Sequence, residues 1–526
     1  MELGDVSLSR ILFAFTALYH FLFVPLTIGL AALVALFEGI ALRTGASMWH
    51  RAARFWGWFF VVNFMCGVLT GYPLRWQLEA HWVAYGTLVQ DVVNTVFEFE
   101  GRLFPVLLAI VAVFALGWRL PPVIHFGVSC ALAVVLVLQS SAILALNAWM
   151  QYPVGTTMLD GRAELPGLLA LFGNPLLAPK ILHQVASAYT LAGMLVLAVS
   201  AWYLLRGRHA VMARGSFRVA SIFTLAALGM TGVAGHWSGM TLVQYQPVKF
   251  AAIEAIWKTA DARDFVLFAV PDAASRSNRH EIVVPGLLGL VAGDADTPIR
   301  GLDTLTADTA ASIRRDLAAT QAQALKSGKP VAPIGAAGLL PPGVSGTDVS
   351  EAQIAAAAQG AIPSVPVVFW AFRVMLAAWG ALMLVSLLAV WRGPDPRSAQ
   401  GRLLLWACLL ALPLPWVATE AGWIVCEVGR QPWTVTGVLP TFRSGTALVA
   451  GHTGLKLLAV SLVYSGLFVL NIALTLRHLQ RGPRPLPARP DWAGRARPLL
   501  TRALGLARRL ARAATPGHRG ANARTR

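Results

Sequence analysis

Long apolar runs recur along the chain, and nine of them approach the roughly 20 residues that a helix needs to cross a bilayer core. They lie near 11–38, 56–76, 92–118, 122–148, 180–205, 217–239, 364–391, 402–427 and 454–476. Glu98, Glu100 and Arg102 interrupt the third run, which makes it the least regular. The pattern predicts an all-α integral membrane protein whose nine transmembrane helices form a bundle.

One connection between the runs is far longer than the others. Residues 240–363 form a polar segment with a predicted helix around 303–327 and a flexible GLLPPGVSG stretch. A loop of this length in a compact protein is usually functional or disordered. We therefore divide the chain into the first six spans (1–239), a large extracytoplasmic loop (240–363), the last three spans (364–478) and a basic tail (479–526), predicted to be disordered.

Arginine is distributed unevenly between the two sides of the predicted membrane. One side carries Arg43, Arg51, Arg54, Arg119, Arg206, Arg208, Arg214, Arg218, Arg392, Arg397, Arg402 and the tail. Because basic loops stay in the cytoplasm, the N-terminus is predicted outside and the C-terminus inside. The net charge of +18 is concentrated in these loops and in the tail, which favours contact with anionic lipid over nucleic acid.

The cysteines and the N-terminus narrow the class of membrane protein. Cys66, Cys130, Cys408 and Cys426 all lie within apolar runs, and the sequence has no CxxC motif. This pattern argues against disulfides and against c-type haem attachment. The start, MELGDVSLSR, lacks the basic region of a secretory signal, so the first run is predicted to be a retained helix.

Ionisable side chains inside membrane spans are costly, so each of them marks a candidate functional site. His20 lies in ALYHFLFVPL, His183 in ILHQVASAY and Met375 in AFRVMLAAW. A core histidine and a packed methionine are the structural alternatives, whereas imidazole and thioether together form the axial pair of a low-spin haem. Arg373 needs an anionic partner in lipid, and a haem propionate would supply one.

Carboxylates in the same runs are the second group of candidates. Glu98 and Glu100 point to roughly opposite faces of a helix, because two residues turn it by about 200°. Glu420 and Glu427 are seven residues apart and share a face, with Trp423 between them. Glu98 could mark an interfacial helix end, and Glu420 could form a salt bridge. For Glu100 and Glu427 the alternatives are proton relay and metal ligation.

Two further motifs lie outside the spans or at their ends. Lys249 and Glu254, in KFAAIEAIW, are five residues apart and do not form a regular i,i+4 helical pair. A solvated loop helix is their structural alternative. The GRQPW motif, 429–433, contains Arg430, Gln431 and Trp433, and it could equally be an ordinary helix end with interfacial anchors.

These motifs together resemble one family. YHFLFVPLTIG, LHQVASAY, VKFAAIEA, AFRVM, LPLPW followed by EAGW, and CEVGRQPW occur in the order found in subunit I of cytochrome bd quinol oxidases. The resemblance covers about residues 7–480, and GRQPW with its preceding glutamate is highly specific. The nine spans and the large outer loop agree with the fold of that family.

The resemblance implies a role for each candidate in haem binding. His183 and Met375 would ligate a low-spin haem b, with Arg373 close to it. A high-spin haem b and a haem d, or a further haem b, would be surrounded jointly by His20, Glu100 and Glu427. Trp423 would lie between haems as an electron-transfer contact.

The resemblance also implies a substrate, a reaction and partners. Lys249 and Glu254 would belong to the quinol site in the outer loop, usually called the Q loop, and Arg430, Gln431 and Trp433 would lie at the outer surface nearby. Quinol would be oxidised there, electrons would pass through the low-spin haem to the high-spin pair, and dioxygen would be reduced to water with protons taken from the cytoplasm. The implied setting is the bacterial cytoplasmic membrane, beside a second multi-pass subunit, with a small single-span subunit as a further implied partner.

One part of the sequence departs from the family pattern. Typical members carry a second intramembrane glutamate about two turns beyond the Glu100 position, where this chain has Pro105, Leu108 and Ala109. Glu98 is a candidate substitute for that acid. Two other functions therefore stay open: a haem-binding quinol electron-transfer subunit with altered terminal chemistry or only b haems, and an ion transporter without haem.

Overall fold

The computed structural model describes residues 5–159, 162–259, 264–292, 299–327, 335–342, 344, 349–445 and 453–483. Within them, nine helical stretches are long and apolar enough to cross a bilayer, which confirms the predicted fold class. They are Leu8–Thr44, Ser47–Leu78, Ala84–Leu116, Pro122–Gln151, Leu177–Leu205, Ala210–Tyr245, Glu351–Arg392, Ala399–Val428 and Gly454–Arg481. Most of the predicted tail lies outside the described residues.

Helices dominate the described residues. They are α1 (Asp5–Phe21), α2 (Val24–Thr44), α3 (Ser47–His81), α4 (Val83–Leu116), α5 (Pro122–Gln151), α6 (Leu168–Phe172), α7 (Leu177–Leu205), α8 (Ala210–Tyr245), α9 (Pro247–Ile253), α10 (Leu287–Ala292), α11 (Leu302–Ser327), α12 (Glu351–Gly360), α13 (Val365–Arg392), α14 (Ala399–Leu410), α15 (Leu414–Val428) and α16 (Thr453–Arg481). Three antiparallel hairpins pair β1 (Thr157–Leu159) with β2 (Arg162–Glu164), β3 (Phe265–Asp272) with β4 (Ser277–Val284), and β5 (Trp433–Val435) with β6 (Leu439–Pro440).

The first span is broken between α1 and α2. Pro25 lies in the first turn of α2, where a missing N–H costs no helical hydrogen bond. At the break, the carbonyl of Phe23 still accepts from the backbone N–H of Thr27 at 3.0 Å, and side chains from two other helices also bind the carbonyls of Leu22 and Phe23. Asn63 Nδ2 donates to the carbonyl of Phe23 at 2.6 Å, and Trp416 Nε1 donates to that of Leu22 at 3.0 Å. These bonds satisfy backbone that has no water to bind in a bilayer.

The main core lies between α2, α3, α7 and α8. Its fully buried large side chains include Phe37, Trp56, Tyr203 and Phe217. Helix α7 is the most buried of the spans, and α16 lies at the periphery with the least burial. Ligands on α7 are therefore held by a rigid centre, while α16 and much of α4 present apolar side chains outward.

The large loop between α8 and α13 packs onto the end of α13. Helix α9 and the β3–β4 hairpin share a core with the start of α13, in which Phe250, Phe265 and Phe369 are buried. Helix α11, at Leu302–Ser327, matches the helix predicted around 303–327. Within GLLPPGVSG the chain forms a 3₁₀ turn up to Leu339, and residues 343, 345 and 346 lie outside the described part. The loop is thus anchored to the bundle at the helix that carries Met375.

Candidate functional site

The imidazole of His20 lies against α3. Its Nδ1 is 3.1 Å from Oγ1 of Thr70, and that hydroxyl donates its own proton to the carbonyl of Cys66 at 2.9 Å. A hydroxyl that gives its proton to this carbonyl can only accept from Nδ1, and in that tautomer the lone pair lies on Nε2. A Cβ added at Gly71 would lie only 2.8 Å from Cε1 of the ring. The tautomer and the narrow glycine cradle both suit a histidine that binds iron through Nε2.

The other two candidate axial ligands also lie beside glycines. A Cβ at Gly235, on α8, would lie 3.6 Å from Cε1 of His183, and a Cβ at Gly422, on α15, would lie 3.3 Å from Sδ of Met375. Nδ1 of His183 is buried and has no hydrogen-bond partner among the described residues. Since buried polar atoms are normally satisfied, this nitrogen suits a ligand or an anchoring contact in the complete protein.

Trp423 connects α15 to the His20 region. Its ring stacks on Phe21 with centroids 4.1 Å apart and an angle of 13° between the planes. One turn earlier on α15, both carboxyl oxygens of Glu420 are buried and lack a partner in the described part of the chain. The salt bridge considered for Glu420 is therefore not found there. A buried carboxyl group without a partner is costly, so Glu420 marks a second unsatisfied polar position near the candidate haem ligands.

Glu98 and Glu100 separate as the rotation of α4 predicts. Glu100 is partly buried, and Gln139 Nε2 donates to its Oε1 at 3.4 Å. The side chain of Glu98 is 67% exposed and lies 3.3 Å from Arg102 on the outer face of α4. The structure therefore directs Glu100 towards the bundle and Glu98 away from it.

Glu427 is held by two donors at the end of α15. Asn147 Nδ2 donates to its Oε1 at 2.8 Å, and Arg430 Nη2 donates to its Oε2 at 2.5 Å. Arg430 also donates from Nη1 to the carbonyl of Thr434 at 2.8 Å. Charged and neutral donors on its two oxygens fix the direction of this carboxylate, as iron ligation would require.

Lys249 is buried next to this carboxylate site. Its Nζ donates to Oε1 of Gln151 at 2.5 Å and to Oε1 of Gln246 at 3.3 Å, and the residue is only 4% exposed. Burial lowers the pKa of the Lys249 ammonium to about 8. A Cβ at Gly429 would lie 2.8 Å from Cε of Lys249, so the glycine of GRQPW makes room for the lysine stem.

Glu254 is not free to act alone, because it pairs with Arg373. Arg373 Nη2 lies 2.7 Å from Glu254 Oε2, and the two side chains are 6% and 3% exposed. The guanidinium also donates to the carbonyls of Ile253 and Val266 and lies 4.0 Å from the ring centroid of Phe369. Burial raises the pKa of the Glu254 carboxyl, and the guanidinium opposes that rise. The anionic partner that Arg373 needs is thus supplied by the protein.

The other residues of GRQPW connect the end of α15 to α1 and to the large loop between α8 and α13. Gln431 Oε1 accepts hydrogen bonds from Arg10 Nη2 at 3.1 Å and from Thr441 Oγ1 at 3.0 Å. Trp433, in β5, packs against the small core of α11 and α12. These residues therefore position the segment, and the described contacts give them no direct bond to Lys249.

The structure brings some predicted residues together and leaves others apart. Lys249, Glu427 and Arg430 share one polar network, whereas Glu254 and Arg373 form a second one. The sequence analysis missed Asn147, Gln151 and Lys180, which complete the first network. The sequence did contain a signal for these three residues, since polar side chains in or next to apolar runs mark candidate sites. Asn147 and Gln151 are one turn apart at the end of one apolar run, and Lys180 begins the next one.

Comparisons with known proteins give consistent results. The family model described as cytochrome bd terminal oxidase subunit I matches residues 8–483. Subunit 1 of the cytochrome bd-II ubiquinol oxidase of Escherichia coli (strain K12) is 36% identical over 498 residues, covering 91% of this chain and 97% of that protein.

A second relative and a solved structure extend the match. The cytochrome bd ubiquinol oxidase subunit 1 of Bacillus subtilis (strain 168) is 30% identical over 485 residues, covering 91% of this chain and 94% of that protein. The solved structure of the bd oxidase from Geobacillus thermodenitrificans has a similar fold, with a TM-score of 0.75 at 21% identity, covering 91% of this chain and 99% of that chain.

Proposed function

Because the chain belongs to the cytochrome bd terminal oxidase subunit I family, we propose that it oxidises quinol near the periplasmic face and reduces dioxygen to water with protons taken from the cytoplasm. Family membership makes it an oxidoreductase of respiratory electron transport and a multi-pass protein of the bacterial inner membrane. It carries haem and works with a subunit II and quinol. We also propose a small single-span subunit as a partner, an N-terminus outside the membrane and a C-terminus in the cytoplasm. The chain is proposed to divide after residues 239, 363 and 478 into six spans, the large loop, three spans and the tail.

The haem sites are proposed from the residues that fit them. We assign His183 and Met375 to a low-spin haem b, and His20, Glu100 and Glu427 jointly to a high-spin haem b and a haem d. When bound, the haems supply electron transfer and the reduction of dioxygen. The contact between Nδ1 of His20 and the Thr70 hydroxyl is the observation that carries this assignment, because a hydroxyl that donates to the Cys66 carbonyl favours the tautomer with its lone pair on Nε2, which a metal ligand needs.

The protein residues hold these groups in place. Asn147 and Arg430 orient the Glu427 carboxylate from opposite oxygens, and Phe21 holds the Trp423 ring by stacking. Arg373 stabilises the join between the outer loop and α13, two residues from Met375. The largely buried stretch of α7 begins at Ala186, three residues after His183, and fixes the helix that carries this histidine.

The quinol side is proposed around Lys249 and Glu254. The Lys249 ammonium can donate a hydrogen bond to a quinol oxygen, and the Glu254 carboxylate can accept a quinol proton at Oε1, since Arg373 occupies Oε2. Arg430, Gln431 and Trp433 fix the rim of this region. The burial of both groups strengthens their interaction with a bound headgroup, because the surroundings have a low dielectric constant.

Proton uptake is the least regular part of the proposal. Glu100 is the partly buried acid of α4, while Glu98 lies on the open face beside Arg102. Glu98 as the substitute for the missing family glutamate therefore requires that another subunit cover α4. Full oxygen uptake by a Glu98→Gln variant would remove Glu98 from the route.

A second candidate function is favoured by the same departure. Pro105, Leu108 and Ala109 place no acid on α4 beyond Glu100, which suits a subunit with altered terminal chemistry or only b haems. The reduced-minus-oxidised spectrum of the purified complex separates the two functions. A far-red d-haem band supports the first, and b-haem bands alone support the second. An ion transporter without haem predicts that haem extraction yields nothing.

A further inference from the structure

A continuous row of side chains connects the quinol-side lysine to the candidate haem ligand Glu427. Lys249 Nζ donates to Oε1 of Gln151 at 2.5 Å, and Gln151 Nε2 donates to Oδ1 of Asn147 at 3.2 Å. Asn147 Nδ2 then donates to Oε1 of Glu427 at 2.8 Å. The two amides lie one turn apart on α5, so a single helix face bridges α9 and α15.

The neighbours of the two amides fix their direction. The Lys249 ammonium must face an oxygen, so Gln151 presents Oε1 to it and turns its NH₂ towards Asn147 and towards Sγ of Cys426, which lies 2.9 Å from Nε2. Lys180 Nζ donates to Oδ1 of Asn147 at 2.7 Å, and the Glu427 carboxylate can accept only from the NH₂ on the other side. Both amide dipoles therefore point the same way along the row, an arrangement in which each hydrogen bond strengthens the next.

Burial makes the lysine end of the row sensitive to change. Gln151 is fully buried and Lys249 is 4% exposed, so neither can replace a lost partner with bulk water. Gln151 is also bonded from its backbone, where its carbonyl accepts from Gln246 Nε2 at 2.9 Å. A shift of the lysine thus changes the Gln151 bond first, then the Asn147 bond, and finally the position of the carboxylate.

We propose that Gln151 and Asn147 are positioning residues that couple Lys249 to Glu427, so that a change at the quinol side alters the environment of the haem bound by Glu427. The inference rests on the proposed function, because it takes Lys249 as a quinol-side residue and Glu427 as a haem ligand. Neither amide contacts the reacting atoms, and both act through their neighbours.

A double-mutant cycle on the purified complex tests this coupling. The variants are Lys249→Met, Gln151→Met and the two together. A separate variant, Glu427→Ala, identifies the haem to follow as the one whose absorption it removes, and the midpoint potential of that haem is then measured in the three variants. We expect Lys249→Met to shift that potential in the wild-type background and to shift it by less than a third as much when Gln151 is methionine. Gln151→Met alone should raise the KM for quinol about tenfold, with little change in kcat, because the buried ammonium loses the shorter of its two hydrogen bonds.

The control variant is Asn471→Leu, which removes an amide from another span, where it contacts Cys66. It should leave the potential and the KM unchanged. Equal shifts by Lys249→Met in both backgrounds would overturn the coupling. Should Gln151→Met lose haem, Gln151→Glu decides instead, because it keeps the acceptor for Lys249 and loses the donor to Asn147. A wild-type complex without haem or quinol oxidation refutes the proposed function, whereas an active wild type with an additive cycle refutes only the coupling.

Discussion

The buried ion pair of Glu254 and Arg373 gives the sharpest stability prediction. Removing one partner of a buried pair leaves an uncompensated charge and costs about 3–5 kcal/mol. In Glu254→Gln, Arg373 keeps its hydrogen bonds to the carbonyls of Ile253 and Val266, and the amide oxygen of the new glutamine still offers it one neutral acceptor. We therefore expect a loss of about 2–3 kcal/mol, below or at the lower end of that range.

The assay is chemical denaturation of the purified complex in detergent, from which the free energy of unfolding of each variant is obtained. Asp308→Asn is the matched control, because Asp308 pairs with Arg300 at 2.6 Å but the two side chains are 57% and 45% exposed. Its cost should stay below about 1 kcal/mol. The double variant Glu254→Gln/Arg373→Met should lose about 2 kcal/mol less than the sum of the single variants, since no unpaired charge is left buried.

Two results would refute this reasoning. If Glu254→Gln cost no more than Asp308→Asn, the pair would not be buried as described. If the double variant showed the full sum of the two single losses, the two charges would not interact.

Three further predictions concern the ligand and proton sites. Gly71→Ala should abolish the haem signal that depends on His20, because the new Cβ would lie 2.8 Å from the imidazole. The control is Gly67→Ala on the same helix, whose new Cβ has its nearest atom at 3.8 Å and which should bind haem normally. Pyridine haemochrome analysis measures the haem content of both variants. Quinol affinity should fall as the pH rises through about 8, because Lys249 then loses its proton and its charge, and Lys249→Met should abolish this dependence. The measurement is the KM for quinol as a function of pH. A flat profile for the wild type would contradict a role of the Lys249 ammonium in binding quinol. Glu98→Gln should reduce oxygen uptake if Glu98 replaces the missing acid, and unchanged uptake measured with an oxygen electrode would exclude it.

Much of the fold could be predicted from the sequence because bilayer thickness sets the length of each apolar run. All nine runs correspond to spans, and α11 matches the predicted loop helix. The break after Phe21 was not predicted. At this break the distant residues Asn63 and Trp416 donate to the carbonyls of Phe23 and Leu22. Local patterns do not reveal such tertiary partners.

Part of the site could also be predicted from the sequence, because charged side chains are costly in lipid. The cost of a bare arginine in lipid predicted an anionic partner for Arg373, but the partner, Glu254, is 119 residues away in the sequence. Spacing alone could not identify it. In contrast, Arg430 follows Glu427 by three residues, and Asn147 precedes Gln151 by four, so both contacts lie within one helical turn and could have been read from the sequence.

The central claim is that this chain binds haem and receives electrons from quinol. The most direct measurement is the reduced-minus-oxidised absorbance spectrum of the purified complex, recorded without oxygen and with quinol as the reductant. We expect b-haem bands together with a far-red d-haem band, all lost to reoxidation when oxygen is admitted. A complex that shows no haem bands after quinol is added would contradict the account.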